Sequence, residues 1–435
     1  MIPSSAANNR SERHGSNGAS LADELKARDL IELSSASPEE ILKAPRTAYL
    51  GIDPTSDSIQ VGNLAVVLLM KRLGNAGHKL VFLVGGATGQ IGDPKEKGER
   101  VLLDEKTVAA NTRALQKQLK TILGTSSFKM VDNVDWLSKV KLLPFLRDVG
   151  KHFTVNDLVK RDIIKKRLET PDESISYTEF TYALLQAFDY LTLHEKYGVD
   201  LQVGGSDQWT NILSGVDLIR KRLGKQVYAL GMPLVTDAAG KKFGKSEGNA
   251  VWLDRKKTSP FRFYQFWINL PDANIEKYLK TYTFLPPAEI DALMELHRRN
   301  PGDREAQETL ARLVTEIVHG PLDTAQAAAA TDALFGTTPF DQLSREALAV
   351  ALAEAPSVKL SKKDIENGFS LTEALVSSGL ASSKSDARRL IEGKGISLSG
   401  QAIENPDQKI FQGDLSHGYA LVRKGRQGVL ILVLK

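Results

Sequence analysis

The stretch AYLGIDPTSDSIQVGNL, residues 48–64, opens with a short apolar run (Tyr49, Leu50, Gly51, Ile52) and breaks at Asp53-Pro54-Thr55. It then turns through Asp57-Ser58 and enters a helix-period apolar segment from Leu64 to Leu73. The pattern predicts strand, loop and helix N-terminus. In an open α/β sheet, ligands lie in the crevice beyond the carboxyl ends of such strands, and a helix N-terminus there presents N–H groups and a positive dipole to phosphate. Gly62 would let the main chain come close to a nucleotide, with Thr55, Gln60 and Asn63 as uncharged donors around it. Taken alone, the same residues also suit an ordinary strand-to-helix connection.

Two more strands repeat the arrangement. Leu80–Val84 ends in Gly85-Gly86-Ala87-Thr88-Gly89 and then Ile91-Gly92-Asp93-Pro94, which puts the Asp93 carboxylate at a strand end, where it needs a partner such as a substrate ammonium. Lys95, Lys97 and Arg100 follow within reach of phosphates. Asp200–Val203 ends in Gly204-Gly205-Ser206-Asp207-Gln208 before an apolar-periodic helix from Ile212 to Leu223. Three strands that each end in glycine with a polar residue just beyond would line one crevice. Between the strands lie an amphipathic helix (Asp104 to Leu123), a strand (Phe128 to Val131) and a helical insertion (Leu142 to Lys166).

In the run YTEFTYALLQAFDYL, Tyr182, Gln186 and Asp189 are spaced by four and then three residues and share a helix face. They make either a polar pocket wall or a solvent-facing stripe. The loop Gly240-Lys241-Lys242-Phe243-Gly244-Lys245-Ser246 lies between an apolar strand (Leu230 to Val235) and a short one (Ala250 to Leu253). It is a flexible cationic loop suited to a triphosphate, or else a solvated basic loop.

The 435 residues suffice for two or three domains, and 42% hydrophobic with 25% charged residues describes an ordinary globular chain. The lack of cysteine excludes disulfides, thiolate metal sites and a cysteine nucleophile. No apolar run approaches the length of a membrane span. The polar first 25 residues are expected to be a disordered tail and not a secretory signal. Residues 26–258 are then read as the parallel-sheet domain, 259–354 as a helical domain opened by Ser259-Pro260, 355–370 as a linker, and 371–435 as a small α+β module. That last module carries nine Lys or Arg against six acids, so +3 of the net +4 lies there. A helix bearing Lys384, Arg388 and Arg389 suits an RNA backbone.

With YLGIDPTSDS, LVGGATGQIGDP, DNVDW, FLRDVGKHF, the Tyr182/Gln186/Asp189 helix, LQVGGSDQW, KKFGKS and SPFRFYQFWIN together, the chain closely resembles the bacterial-type tyrosyl-tRNA synthetases of class I. The resemblance implies a Rossmann-like catalytic domain, a helical anticodon-binding domain and a tail like the S4-type RNA-binding domain. It also implies a cytoplasmic homodimer without membrane attachment. Its substrates would be L-tyrosine, tRNA(Tyr) and ATP with Mg2+, and it would hold no prosthetic group or protein-held metal. By matching position, Tyr49 and Asp189 would hold the phenol hydroxyl, and Asp93, Tyr182 and Gln186 the ammonium. Asp53 and Gln208 would sit near the reacting amino acid, with Gln202 supporting the pocket. Gly51, Gly62, Gly205 and Asp207 would face the nucleotide. Thr55, Gln60, Asn63, Lys242 and Lys245 would act on its phosphates, Lys245 also as a nucleotide contact. Lys384, Arg388, Arg389, Arg423 and Lys424 would meet tRNA. The family's HxGH histidines are replaced here by Gln60 and Asn63, which can donate hydrogen bonds but cannot become cationic. That exchange keeps a second reading open: a synthetase-like protein that binds structured RNA without activating an amino acid.

Overall fold

The computed structural model describes residues 20–94, 103–171, 173–237, 239–241, 243–244, 250–425 and 428–435. They form two compact units: one holds the described residues up to Lys257 with Leu270–Leu310, the other Thr258–Asn269 with Ala311–Lys435.

In the first unit six strands form one sheet: β1 (Leu33–Ser34), β2 (Thr47–Ile52), β3 (Lys79–Val84), β4 (Phe128–Asp132), β5 (Leu201–Gly205) and β6 (Tyr228–Met232). Their order is β1-β6-β5-β2-β3-β4, and every neighbouring pair is parallel except the edge pair β1–β6. β3 reads KLVFLV and buries five residues in succession, as a central parallel strand covered on both faces must. The chain passes from β2 to β3 on one side, while β5 flanks β2 on the other, so the topological switch point falls between β2 and β5. There Tyr49 stands opposite Gln202 in register.

The helices end where their sequences say they should. Tyr177–Tyr197 begins with a Ser176/Glu179 capping box and stops at Gly198 in the left-handed region (φ 65°). The insertion is helical as expected, with three short α-helices, Leu142–Asp148, Val155–Leu158 and Asp162–Glu169. Arg167 ties it to the long helix through a buried 2.8 Å ion pair with Glu179. β6 stops at Met232 and not at Val235, because Pro233 has no N–H for the ladder. The expected strand from Ala250 to Leu253 is only an isolated bridge, Gln60 to Trp252.

Part of the expected disordered tail is ordered. Residues 1–19 lie outside the described residues, but Leu21–Ala27 is a helix with a Ser20/Asp23 capping box. Glu24 on it pairs with two buried guanidinium groups, Arg28 at 2.9 Å and Arg72 at 3.5 Å.

The second unit corrects two expected boundaries. Its strands are β7 (Ser357–Leu360), β8 (Phe369–Ser370), β9 (Ile396–Leu398), β10 (Gln401–Ala402), β11 (Lys409–Ile410), β12 (Tyr419–Lys424) and β13 (Gly428–Leu434). Five form a sheet in the order β10-β9-β12-β13-β7, and β8 pairs with β11. Residues 355–370 are therefore no linker: β7 runs parallel to β13 and buries Leu360 in the core. SVKL is too short to announce itself as a strand without its distant partner. Nor do residues 259–354 form one body, since 270–310 belong with the first unit.

The cations expected to face RNA divide into two groups. Lys384, Arg388 and Arg389 are exposed and pair with Glu373, Asp407 and Asp386. Arg423 instead donates to the carbonyls of Leu334 and Ala333 at 3.0 and 3.1 Å, in the last turn of the helix Pro321–Phe335. Helix-end carbonyls lack intrahelical partners, so this guanidinium serves as a C-cap. Lys424 likewise donates to the Leu380 carbonyl at 2.7 Å. Arg423→Ala should lower unfolding stability by roughly 1–3 kcal/mol in chemical denaturation, the usual cost of orphaning part-buried carbonyls. An unchanged midpoint would return Arg423 to the RNA-facing group.

Candidate active site

A cleft of about 440 Å³ opens at the carboxyl ends of β2, β3 and β5. Tyr49, Gly51, Asp53, Thr55, Gln60, Gly62, Asn63, Asp93, Tyr182, Gln186, Asp189, Gln202, Gly205, Asp207 and Gln208 all line it. The strand-end glycines and the helical stripe thus converge on one volume. Lys242, Lys245, Lys97 and Arg100 lie outside the described residues.

The floor is Asp189. Its residue is 2% exposed, which rules out a solvent-facing stripe. Asn133 Nδ2 donates to Asp189 Oδ2 at 2.9 Å and Trp136 Nε1 to Oδ1 at 2.7 Å. Both donors come from DNVDW, just beyond the end of β4. Neither was assigned a role from the sequence, although their spacing of three after a strand end was the available signal. Burial pushes the Asp189 carboxyl up to about 7, with Asp53 and Asp132 adding to the rise, against the two hydrogen bonds that favour its ionised form. Beside it, Tyr49 Oη and Gln202 Oε1 are buried atoms with no hydrogen-bond partner among the described residues. Burial holds the Tyr49 phenol well above its ordinary pKa, so it is a neutral donor. Buried polar atoms normally find partners, and two such orphans on paired strands, facing a cleft, mark where a polar ligand group belongs.

The middle of the cleft carries two more carboxylates. Tyr182 donates to Asp53 Oδ2 at 3.3 Å. Gln208 Nε2 and Asn211 Nδ2 donate to the two oxygens of Asp93 at 2.9 and 3.2 Å. Asn211 was not anticipated.

The outer part is built of backbone. Gly51 is exposed to the cleft, and a Cβ there would meet nothing within 4 Å except the ligand space. Gly62 has a tighter reason to be glycine than nucleotide approach alone: a Cβ would lie 2.9 Å from the Phe243 carbonyl. Gln60 is the N-cap of the helix Val61–Asn75, but its side chain makes no cap hydrogen bond. The Val61 N–H is taken by the Val251 carbonyl at 3.0 Å, so the helix N-terminus offers fewer donors than the sequence suggests. Asp207 is exposed beside Gly205 at the mouth.

A parallel sheet in this order, with a crevice at its switch point and a buried polar floor, defines a doubly wound α/β fold of the nucleotide-binding class. Residues 42–336 match the family of class I tRNA synthetases for tryptophan and tyrosine, and residues 347–432 match the C-terminal domain of tyrosine–tRNA ligases. The chain belongs to that family of class I aminoacyl-tRNA synthetases. It is 45% identical to the tyrosine–tRNA ligase of Roseiflexus castenholzii over 415 residues, covering 94% of this chain and 97% of the relative. It is 40% identical to that of Bacteroides thetaiotaomicron over 428 residues, covering 95% and 100%. Among solved structures, a C-terminally truncated mitochondrial tyrosyl-tRNA synthetase of Aspergillus nidulans superposes with a TM-score of 0.66 at 32% identity, over 73% of this chain and 94% of that one. The activity is that of a tyrosine–tRNA ligase, with tyrosine, ATP and tRNA as substrates, and the non-catalytic RNA-binding alternative falls. Among the described residues no helix is long and apolar enough to cross a membrane.

The folded Asp189 carboxyl holds its proton to about pH 7, against an ordinary value of 3.8. The fold therefore binds the extra proton across that window, and the stability it contributes is lost as pH rises through 7. Asp189→Asn cannot ionise. Ligand-free thermal unfolding should show the Tm of wild type falling relative to Asp189→Asn between pH 5 and pH 8. A constant difference would mean that the carboxyl titrates normally.

Proposed function

We propose that the buried floor recognises the para-hydroxyl of L-tyrosine, with Tyr49 as donor and Asp189 as acceptor. The observation that carries this is the orphaned Tyr49 Oη beside a carboxylate whose other contacts are filled by Asn133 and Trp136. Phenylalanine would leave these groups buried and unpaired, at roughly 1–3 kcal/mol for each. Asp93, Tyr182 and Gln186 would take the ammonium, and Asp53 and Gln208 would keep the carboxylate end in place, with Gln202 completing the wall. Gly51, Gly62, Gly205 and Asp207 would bound the adenosine, Asp207 accepting from its ribose hydroxyls.

In this reading the tyrosine carboxylate oxygen forms a bond to the α-phosphorus of ATP while the bond to pyrophosphate breaks. A hydroxyl of the terminal adenosine of tRNA then takes the acyl group, and AMP leaves. The protein supplies no nucleophile; it orients the reactants and stabilises charge that builds on the phosphate oxygens. Thr55, Gln60 and Asn63 donate hydrogen bonds there, and Lys242 and Lys245 supply cations to the leaving group. Mg2+, which keeps several waters and prefers phosphate oxygens, would arrive on the triphosphate; the neutral donors Thr55, Gln60 and Asn63 suit that arrangement. The exposed Leu142, Leu143 and Leu146 of the insertion support a homodimer contact, the setting is cytoplasmic, and the second unit's last domain resembles an S4-type RNA binder.

The direct test is tyrosine-dependent exchange of pyrophosphate into ATP. Wild type should exchange with tyrosine and not with phenylalanine; exchange without such discrimination would remove the Tyr49/Asp189 reading. Gln60→His should raise the exchange rate by about tenfold, or about 1.4 kcal/mol of barrier, with tyrosine affinity unchanged, because imidazole can become cationic as charge develops. An equal or slower rate would show that Gln60 is no handicap here.

For the tail, replacing Lys384, Arg388 and Arg389 together by Gln should weaken tRNA charging and flatten its salt dependence while leaving exchange intact. Charging with an unaltered salt slope would place tRNA elsewhere.

A further inference from the structure

A relay of side chains runs from the helical insertion to Asp93. Arg161 donates from Nη1 to Asn211 Oδ1 at 2.8 Å and from Nη2 to Ser214 Oγ at 2.6 Å. Asn211 Nδ2 in turn reaches Asp93 Oδ1 at 3.2 Å and Gln208 Oε1 at 3.2 Å, and Gln208 Nε2 reaches Asp93 Oδ2 at 2.9 Å. The ends of the relay are chemically one-sided: a guanidinium only donates and a carboxylate only accepts. A carboxamide between them has a single workable orientation, oxygen toward Arg161 and nitrogen toward Asp93. Asn211, so fixed, gives its second N–H to Gln208 and thereby turns the Gln208 amide nitrogen toward the other Asp93 oxygen.

We infer that Arg161 is a positioning residue for the amino-acid ammonium, acting through Asn211 and Gln208 to orient Asp93; this rests on the reading of Asp93 as the ammonium acceptor. Without the guanidinium, Asn211 Oδ1 loses its donor and the amide is anchored from the Asp93 side alone, so it no longer holds Asp93 and Gln208 in one geometry. Asp93 then keeps its charge but loses its aim. No sequence pattern points to Arg161, because it lies 50 residues before Asn211 on an element with no motif of its own.

The test compares L-tyrosine with 3-(4-hydroxyphenyl)propionate, which keeps the phenol and carboxylate and lacks only the ammonium, by calorimetric binding to the full chain. Arg161→Met should weaken L-tyrosine by roughly tenfold, as expected for a misaligned charge-assisted hydrogen bond, and leave the deaminated analogue within about twofold. Asn211→Ala, on a different element, should give the same selective loss and carries the test if Arg161→Met does not fold. Arg161→Lys should restore part of the tyrosine affinity. Equal losses for both ligands, or no loss for either, would overturn the proposal and leave Arg161 a packing residue. Asp93→Asn in parallel isolates the underlying reading: if it does not weaken tyrosine, the ammonium is held elsewhere and the relay has no such role.

Discussion

Taking a carboxylate out of water is the constraint on which this structure depends. Asp189 is buried at the floor of the cleft, where desolvation favours its protonated form and the two donors aimed at it favour the ionised one. Asn133 does more than supply one of them. Its Nδ2 also donates to Thr88 Oγ1 at 2.9 Å, and its Oδ1 accepts from the Ala87 N–H at 2.8 Å. One asparagine at the end of β4 therefore joins the loop after β3 to the long helix that carries Asp189. The cleft inherits its floor from that junction.

The side of the cleft at the start of the Val61–Asn75 helix is tied down by different means. Asp57 pairs with Lys257, the Ser58 hydroxyl accepts from the Asp254 N–H at 3.0 Å, and the Ile59 N–H is taken by Gln118 at 2.9 Å. Phe243 stacks on Tyr278 at 4.4 Å, and Gly244, at φ 76°, has no room for a Cβ against Val61. The cationic loop thus leaves from and returns to segments anchored against the start of the Val61–Asn75 helix.

Much of the site was legible because it sits on strongly periodic elements. A spacing of four and three put Tyr182, Gln186 and Asp189 on one face, and glycines after apolar runs marked the strand ends. Asn211 and Arg161 escaped for a physical reason: hydrogen bonds between side chains far apart in sequence leave no local pattern. The carbonyl partners of Arg423 and Lys424 escaped on the same ground, since a basic pair on a strand looks alike whether it meets solvent or backbone from a distant segment. β7 was lost to its brevity.

Residue order alone determined the alternation of strand and helix, the order of the glycine-ended loops and the types of polar group available to a substrate, because these follow from backbone preference and side-chain chemistry over short range. Tertiary structure alone decided that Tyr49 Oη and Gln202 Oε1 would be buried with no partner among the described residues, that Asp189 would be buried and hold its proton toward neutrality, and that two amides would donate to Asp93. Those properties arise from desolvation and from contacts between distant segments, neither of which exists until the sheet has closed over its core.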